Sequence, residues 1–421
     1  MKTLLTGLIV LCLRAASADA AVVIKGKKGA WSLEVDGAPF EIKGVGCGIA
    51  RGTNGEDYLQ MARDMGANVV RTWGTDQGTQ EYLDHAAELG LKVIAGIWID
   101  YTDEQGTHSY LGKKEHIWAK RREILSYVSR FRNHPAILMW GLGNEAIFLT
   151  KNEEERRALC GFLEEMVQVI HRVDPDHPVV YASASKMAFA YLAKDVPSLD
   201  VIGANEYASI RALQGAWQDA GFDKPYLVTE YGPYLSQARP RDVNRRASEQ
   251  QDYQKALLYR SMTEQIWEFS GYNIGGVVFH LGETSQESMT WWNLNEGDKK
   301  RASYWTMYQL YTGQKQPCPC VRLRKLTLEK YHDVAPGQWI EARIWGLDDA
   351  QDKDVKYSYR MSTAREGILE YYVNSWVPVE VEGQGPVVRL RMPLKKGVYR
   401  VYGFAEKDCC IASASATVSV E

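Results

Sequence analysis

Ala136–Glu145 has the sequence AILMWGLGNE and is the stretch that decides the fold. Its first residues form an unbroken apolar run, which is typical of a strand buried on both faces in a parallel sheet. The run ends at Glu145, a charged residue that is costly to bury unless it has a function. Tyr226–Glu230, with the sequence YLVTE, repeats this design. The two stretches together predict a pair of catalytic carboxylates at the ends of two buried strands.

Similar apolar runs recur along the chain and alternate with stretches of helical periodicity. The predicted strands are Ile42–Cys47, Asn68–Trp73, Lys92–Trp98, Ala136–Leu142, Pro178–Ala182, Val201–Ala204, Tyr226–Thr229 and Ile274–Phe279. The predicted helices include Tyr58–Met65, Gln80–Leu89, Ile117–Phe131, Glu153–Val173, Tyr253–Phe269 and Tyr304–Tyr311. Eight strand–helix units are what a (β/α)8 TIM barrel requires. An open doubly wound sheet fits less well, because the chain has no Gly-rich dinucleotide loop.

The pattern predicts three segments: a signal peptide at 1–20, a barrel preceded by a β-hairpin at 21–315, and a sandwich at 316–421. Asp36-Gly37 marks the turn of the hairpin, which we expect to close the bottom of the barrel. The predicted strands of the last segment are Val321–Leu328, Trp339–Trp345, Val355–Met361, Leu369–Val373, Val387–Met392, Val398–Phe404 and Ala412–Val420. Seven short strands without helical periodicity predict an immunoglobulin-like β-sandwich. Because no low-complexity linker separates the two domains, we expect them to be docked.

The amino-terminal residues predict export. Lys2 is followed by a short apolar run, Leu4–Leu13, and by the small residues of Ala18-Asp19-Ala20. This order is typical of a signal peptide, and the run is too short to span a membrane. We therefore expect a secreted or periplasmic protein without a membrane span.

The cysteines are consistent with such a compartment. Cys47 and Cys160 lie in apolar contexts and are expected to be buried thiols. The remaining cysteines after the predicted signal bracket the last segment: Cys318, Cys320, Cys409 and Cys410. One bridge between its two ends is expected. Two bridges are disfavoured, because adjacent residues point apart in a strand.

Composition excludes several classes of function. A net charge of -3 over 421 residues lacks the basic surplus of nucleic-acid binders. The chain has only eight histidines, and no spacing matches a zinc site, so neither a metal nor another cofactor is predicted. The 13 Trp and 24 Tyr are plentiful enough both for core packing and for stacking on the apolar faces of sugars.

Catalytic residues of a barrel collect at the carboxyl ends of its strands. The predicted rim comprises Arg71, Trp73, Asp76, Trp98, Asp100, Tyr101, Asn144, Glu145, Asn205, Glu206, Tyr207, Glu230, Tyr231, His280, Glu283, Trp291 and Trp292.

Two motifs within this rim carry a family resemblance. Arg132–Glu145, with the sequence RNHPAILMWGLGNE, resembles the acid/base signature of the β-galactosidase and β-glucuronidase family, in glycoside hydrolase clan A. Val228–Gly232, VTEYG, resembles the nucleophile strand of that clan. The resemblance covers the barrel but not the whole architecture of that family. A barrel followed by an immunoglobulin-like domain is more similar to the endo-β-1,3-glucanase family 158.

The resemblance implies a role for each residue. Glu145 would be the general acid/base and Glu230 the nucleophile of a retaining enzyme, whose two carboxylates stand about 5–5.5 Å apart. Arg71 would keep Glu230 charged, and Tyr207 would donate a hydrogen bond to it. Asn144 would hold the substrate 2-hydroxyl.

The aromatic rim residues are expected either to pack or to line sugar subsites; they are Trp73, Trp98, Trp291 and Trp292. His280 departs from the pattern, since related enzymes commonly carry Trp there, and Trp291 or Trp292 would then supply the floor of the sugar subsite. Glu206 and Glu283 are secondary candidate carboxylates, and His134 is expected to be structural.

The predicted function is hydrolysis of an oligo- or polysaccharide, with a β-glucan such as β-1,3-glucan favoured by the domain layout. A transglycosylase would use the same carboxylates, and a β-galactosidase- or β-mannosidase-type exo-enzyme is a further alternative. A barrel that only binds carbohydrate is the alternative from another class. An arginine-rich stretch at 234–249 is either the border of a cleft for a charged sugar or a solvated loop. The oligomeric state is left open.

Overall fold

The structure describes most of the chain. This computed structural model describes residues 22–184, 186–347, 354–365 and 374–421. The predicted signal peptide and the predicted strand Leu369–Val373 therefore lie outside the described residues. Within those four ranges, no helix has both the length and the apolar composition needed to cross a bilayer.

A three-stranded antiparallel sheet precedes the barrel. Its strands are β1 (Val22–Lys25), β2 (Ser32–Val35) and β3 (Ala38–Pro39). The turn between β2 and β3 uses Asp36 and Gly37 with φ of 53° and 79°, the left-handed conformation that a two-residue hairpin needs.

The same sheet covers one end of the barrel. Leu33 and Val35 share a buried apolar cluster with Ile42, Val69 and Leu138, which lie in the amino-terminal parts of barrel strands. The hairpin therefore closes the bottom of the barrel, as predicted, and leaves the opposite end for the site.

Eight parallel strands form the barrel. They are β4 (Ile42–Gly46), β5 (Val69–Arg71), β6 (Lys92–Ile97), β7 (Ile137–Asn144), β8 (Val179–Ser183), β9 (Val201–Glu206), β10 (Tyr226–Tyr231) and β11 (Asn273–Val278). The strands close in chain order, with β11 next to β4. Nearly all their residues are buried, because helices cover one face and the barrel interior packs against the other. The predicted barrel is confirmed.

Nine helices are found in the part of the chain that the structure describes. They are α1 (Tyr58–Asp64), α2 (Thr79–Glu88), α3 (Lys114–Phe131), α4 (Ala146–Leu149), α5 (Glu153–Val173), α6 (Met187–Asp195), α7 (Ile210–Asp219), α8 (Asp252–Glu268) and α9 (Ala302–Thr312). The bounds predicted for α5 are those observed, and Asn152 caps it by accepting from the N–H groups of Glu154 and Glu155. Helices α4, α6 and α7 were not among those named from the sequence.

The last segment folds as two mainly antiparallel sheets. Its strands, with a hairpin contributed by the last barrel loop, are β12 (Asn295–Glu296), β13 (Lys299–Lys300), β14 (Leu323–Leu328), β15 (Trp339–Gly346), β16 (Lys356–Thr363), β17 (Trp376–Val377), β18 (Glu380–Glu382), β19 (Val387–Arg391), β20 (Gly397–Lys407) and β21 (Cys410–Val420). One sheet has the order β12-β13-β21-β20-β16-β17 and the other β14-β15-β19-β18. The two sheets bury an apolar cluster between them, which includes Ile340, Leu390 and Val401. The β-sandwich is confirmed; its immunoglobulin-like topology stays a prediction, as does the boundary at residue 315.

The two domains are docked through buried polar contacts. Lys300 in β13 pairs with Cys410 in β21, so a barrel loop extends a sandwich sheet. The fully buried Arg301 donates to Asp252 Oδ2 at 2.9 Å and to Ser413 Oγ at 2.8 Å. A buried guanidinium of this kind is retained only where such partners satisfy it.

The arginine-rich stretch at 234–249 belongs to this interface. Arg246 Nε donates to the Ala364 carbonyl at 2.6 Å, and Thr417 Oγ1 donates to Asp242 Oδ2 at 2.6 Å. Asn244 Nδ2 donates to the Tyr331 carbonyl at 3.0 Å. These contacts attach the stretch to the sandwich domain. They favour neither of the two predicted roles, a solvated loop or the border of a cleft for a charged sugar.

Two disulfides connect the beginning of the last segment to its final hairpin, which corrects the expectation of a single bridge. Cys318 pairs with Cys409 and Cys320 with Cys410, with Cα–Cα distances of 6.1 and 5.2 Å. Asp408, at φ 52°, turns the chain just before this pair. Adjacent cysteines next to such a turn are freed from the alternation of an extended strand. Cys47 and Cys160 are buried free thiols, as predicted.

The two bridges should be largely redundant for stability. They span 91 and 90 residues, so either one closes nearly the same loop of the unfolded chain. Replacing Cys318 and Cys409 by serine should therefore lower the free energy of unfolding by less than about 1 kcal/mol, whereas removing both bridges should cost about 2–4 kcal/mol. Denaturant titration without reductant measures both values. Equal losses on removal of the first and second bridges would contradict this account.

Candidate active site

The carboxyl ends of the barrel strands bring the two glutamates to one rim. Glu230 lies within β10, and Glu145 follows β7 directly. Arg71 ends β5, and Asn205 is the penultimate residue of β9. Because all eight strands run parallel, side chains from distant parts of the sequence meet above the barrel.

Three donors converge on Glu230. Arg71 Nη1 lies 2.8 Å and Trp73 Nε1 2.6 Å from its Oε1, while the Tyr207 hydroxyl donates to Oε2 at 2.6 Å. Charge-assisted hydrogen bonds of this kind stabilise a carboxylate anion and fix its orientation. Glu230 is therefore held as an oriented anion with little exposure, the state in which a carboxylate can act as a nucleophile.

Glu145 belongs to the same hydrogen-bonded network. Asn205 Nδ2 donates to Glu145 Oε1 at 2.6 Å and to Asn144 Oδ1 at 3.1 Å. Arg71 Nη2 also donates to Asn144 Oδ1, at 2.8 Å, and so connects this group to Glu230. With its oxygen engaged by two donors, Asn144 keeps its amide NH2 group for a ligand, and its contact with a sugar 2-hydroxyl stays a prediction.

The backbone at Glu145 has a left-handed conformation, which sets the direction of its side chain. Its φ is 58°, and Gly143, two residues earlier, has φ 92°. The positive φ at residue 143 strains any other residue, and an added side chain would also be in tight contact with Tyr181 at 3.1 Å and Ile99 at 3.2 Å, so the position favours glycine. Left-handed backbone at a non-glycine residue is characteristic of functional sites.

The protonation of Glu145 differs from that of an ordinary carboxyl group. Burial, followed by the repulsion of the nearby Glu230 charge, raises its pKa to about 7, while the hydrogen bond from Asn205 opposes the shift. A carboxyl with this pKa still holds its proton near neutrality and can donate it. The two carboxyl groups of one site are therefore set for two different roles.

Aromatic residues support the network from below. The rings of Tyr207 and Trp292 lie 5.7 Å apart, and Phe279 contacts both Trp73, at 5.6 Å, and Trp292, at 5.5 Å. Trp291 is 1% exposed and its indole N–H donates to the Tyr234 carbonyl at 3.0 Å, so it packs beneath the rim.

Trp98 is half-buried and lies beside Gly74 at the rim. Contacts of Trp73, Trp98, Trp291 and Trp292 with a sugar stay predictions.

His280 lies in the same layer. Its ring packs 4.4 Å from Phe279, and the Nδ1–H donates to the Leu281 carbonyl at 2.7 Å, since a carbonyl oxygen can only accept. Burial lowers the pKa of His280, so the neutral ring presents Nε2 as an acceptor. Its contact with substrate stays a prediction.

Other polar candidates have structural partners. Glu206 accepts from the N–H groups of Ala208 and Ser209, at 2.7 and 2.9 Å, and so holds the turn after β9. His134 contacts Asp84 at 3.0 Å, consistent with its expected structural role. Burial and the charge of Glu296 raise the pKa of Glu283.

Asn205 and Thr229 act in the network, although the sequence predicts only a place at the rim for Asn205 and no role for Thr229. Thr229 Oγ1 donates to Asn205 Oδ1 at 2.8 Å and so turns the amide NH2 group toward Glu145. The position of Asn205 at the end of a predicted strand was the available signal; the identity of its partner is a tertiary fact.

Replacing Tyr207 by phenylalanine should lower kcat/KM by about 10- to 100-fold, since a hydrogen bond to a charged group contributes about 1.5–3 kcal/mol. Tyr226→Phe is the matched control, because that hydroxyl donates to Gln214 outside the rim. The control should change thermal stability and not kcat/KM. Equal kinetic losses in the two variants would remove Tyr207 from the site.

An eight-stranded barrel with a paired acid and anion at its rim defines a class of protein, the (β/α)8-barrel glycoside hydrolases of clan A. The family follows from comparison. Residues 46–292 match the family model described as glycosyl hydrolases family 2, TIM barrel domain. This match covers more than half of the chain, which therefore belongs to glycoside hydrolase family 2.

Curated relatives agree with this family. A β-glucuronidase of Paenibacillus borealis is 24% identical over 319 residues, which cover 69% of this chain and 49% of that protein. The β-galactosidase BoGH2A of Bacteroides ovatus is 24% identical over 383 residues, covering 82% of this chain and 41% of that protein. The chain thus spans less than half the length of either relative.

Solved structures support the fold. The crystal structure of a Bacteroides uniformis β-glucuronidase matches with a TM-score of 0.53 at 13% identity, covering 95% of this chain and 48% of that one. At such identity the match concerns the fold alone.

Proposed function

We propose that this protein is a retaining exo-β-glycosidase with Glu230 as the nucleophile and Glu145 as the general acid/base. The observation that carries the proposal is that the two glutamates of one hydrogen-bonded network differ in protonation. Glu230 is held as an anion by Arg71, Trp73 and Tyr207, whereas the pKa of Glu145 is raised to about 7.

In the first step, Glu230 attacks the anomeric carbon while protonated Glu145 gives its proton to the departing glycosidic oxygen. The glycosyl–enzyme ester forms as the C–O bond to the leaving group breaks. In the second step, Glu145, now a carboxylate, takes a proton from water, and that water displaces Glu230. A sugar hydroxyl in place of water would give the transglycosylation alternative.

The substrate proposed is the β-linked terminal sugar of a galactoside or glucuronide. The names of the curated relatives, β-glucuronidase and β-galactosidase, support this class. The β-glucan expectation depended on the layout of family 158, for which the comparisons offer no support, and it stays a prediction. The carbohydrate-binding alternative is disfavoured, since both carboxylates keep the states that catalysis needs.

Action outside the cytoplasm remains part of the proposal. Two disulfides are characteristic of proteins that mature in oxidising compartments. Fractionation of cells that express the full chain should find it in the periplasm or the medium, with residues 1–20 removed.

A substrate panel tests the function. Aryl β-galactoside, β-glucuronide, β-mannoside and β-glucoside would be assayed beside β-1,3-glucan, with product anomers followed by NMR. We expect the enzyme to hydrolyse either the aryl β-galactoside or the aryl β-glucuronide. The free sugar released should appear first as its β-anomer. First release of the α-anomer would overturn the retaining mechanism. Exclusive cleavage of the polysaccharide would overturn the galactoside or glucuronide assignment, and early release of oligosaccharides from it would overturn the exo assignment. Binding without turnover would favour the lectin-like alternative.

A further inference from the structure

Three residues with metal-binding side chains meet beside the third barrel strand. Asp100 follows β6 by three residues, His108 lies in the next loop, and His116 is in the first turn of α3. One ligand atom of each residue lies within 4.8 Å of those of the other two. All three side chains are half-buried, and none takes part in the network of Glu145 and Glu230.

The loop that carries these residues is already organised. Tyr110 donates its hydroxyl to the Asp100 carbonyl at 2.9 Å, and Thr102 Oγ1 donates to the His108 carbonyl at 3.0 Å. Glu155, from α5, accepts from the Tyr110 N–H at 2.8 Å. Preorganisation of this kind lowers the entropic cost of ligand capture.

His116 supplies an independent sign of a missing partner. Its Nε2 is buried and has no hydrogen-bond partner among the described residues. A buried polar atom of this kind takes a water molecule or an ion as its partner, and the neighbouring carboxylate and second imidazole favour a cation here.

Among the described residues, Lys120 is the positive side chain in direct contact with the cluster. Its ammonium group leaves room for a cation to bind. Its Nζ lies 3.2 Å from Asp100 Oδ2, 2.9 Å from Glu123 Oε2 and 3.2 Å from the Trp98 carbonyl. Two other oxygens therefore share the charge of Lys120, whose contact with Asp100 is to Oδ2. A carboxylate that binds a metal through one oxygen commonly accepts a hydrogen bond on the other.

We propose that Asp100, His108 and His116 bind one divalent transition-metal cation of the zinc class. Two imidazoles and one carboxylate suit Zn²⁺, Co²⁺ or Ni²⁺, whereas Mg²⁺ and Ca²⁺ prefer oxygen ligands. Water would complete the coordination. The ion would connect the end of β6 to the start of α3 and so fix the loop that carries Trp98. Its role is to position the rim, because Glu145 and Glu230 need no metal for the proposed hydrolysis.

Metal binding by the untagged, chelator-treated full protein tests the site. Calorimetric titration with ZnCl2 should give one equivalent, and CoCl2 should produce visible ligand-field absorption. His108→Ala and His116→Ala should each weaken Zn²⁺ binding by at least about 100-fold. His134→Ala is the matched control, since that histidine contacts Asp84 outside the cluster, and the variant should bind Zn²⁺ like the wild type.

A second variant keeps the test decisive if a histidine variant fails to fold. Asp100→Asn preserves the size of the side chain, and its amide oxygen can still accept from Lys120, although the ion pair is lost. This variant should lose Zn²⁺ affinity while circular dichroism in the absence of metal shows the folded state. The proposal is overturned if micromolar Zn²⁺ does not bind the wild type, or if the wild type and the ligand variants bind it equally. These readouts do not involve turnover, so they are independent of the proposed glycosidase activity.

Discussion

Replacing Glu230 by glutamine is expected to lower kcat/KM by at least about four orders of magnitude. The amide keeps the shape of the side chain but cannot form the glycosyl ester, and it loses the charge that Arg71 pairs with at 2.8 Å. Steady-state kinetics on the substrate found in the panel, with circular dichroism as a check of folding, measures the effect. Turnover within about 10-fold of the wild type would remove Glu230 from the mechanism.

The matched control for this change is Glu206→Gln. It makes the same carboxylate-to-amide substitution at a neighbouring strand end, and the new side-chain oxygen can still accept from the Ala208 and Ser209 N–H groups. Its kcat/KM should stay within about 3-fold of the wild type.

A third variant separates a chemical role from a structural one. Glu230→Ala opens space for azide, which would attack the anomeric carbon in place of the carboxylate and release the α-glycosyl azide. Rescue with that configuration identifies Glu230 as the nucleophile; recovery without azide incorporation would contradict the assignment.

Replacing Glu145 by glutamine is expected to lower kcat/KM by about 10²–10⁴-fold for substrates with alcohol leaving groups, which need a proton to depart. Aryl glycosides with acidic leaving groups should lose far less in kcat/KM, because their departure needs no acid. Their kcat should fall, since Glu145 also serves as the base for water in the second step. A loss that is independent of the leaving group would argue against Glu145 as the acid.

The same variant should change the pH profile. The pKa of Glu145 is raised from its usual value of 4.5 to about 7, so the wild type holds the catalytic proton below that pH and loses it above. Its kcat/KM should therefore decline as pH rises through about 7. In Glu145→Gln this decline should disappear, because an amide does not titrate. Persistence of the decline would assign the basic limb to another group.

The raised pKa of Glu145 and its role as an acid have one physical origin. Burial penalises its charge first, and the anion at Glu230 adds to this penalty. Asn205 and Arg71 partly offset both effects, so these two side chains should set the pH range of activity. Once Glu230 has been esterified, its charge no longer raises the pKa of Glu145, so Glu145 is more readily ionised and can take a proton from water in the second step.

The sequence by itself determined the barrel and its two carboxylates. Eight near-continuous apolar runs, alternating with helical periodicity, allow few other folds, because strands buried on both faces need helices to cover them. Glu145 and Glu230 could be chosen because each ends such a run, where an unpaired charge would be costly. The hairpin turn at Asp36-Gly37 followed from local chemistry in the same way.

Only the tertiary structure decided which side chains meet. Arg71 and Glu230 are 159 residues apart in sequence, and their contact depends on barrel closure. The second disulfide also depended on how the chain turns at Asp408, which the alternation rule for strands could not anticipate.

The sequence also did not predict that the arginine-rich loop lies at the domain interface, or that Asp100, His108 and His116 form a cluster. Each is built from contacts between elements whose relative placement no local pattern encodes. Local sequence specifies the hydrophobic periodicity of each helix or strand and the turns between them. The hydrogen-bond partners of a polar group are set by the packing of the whole barrel.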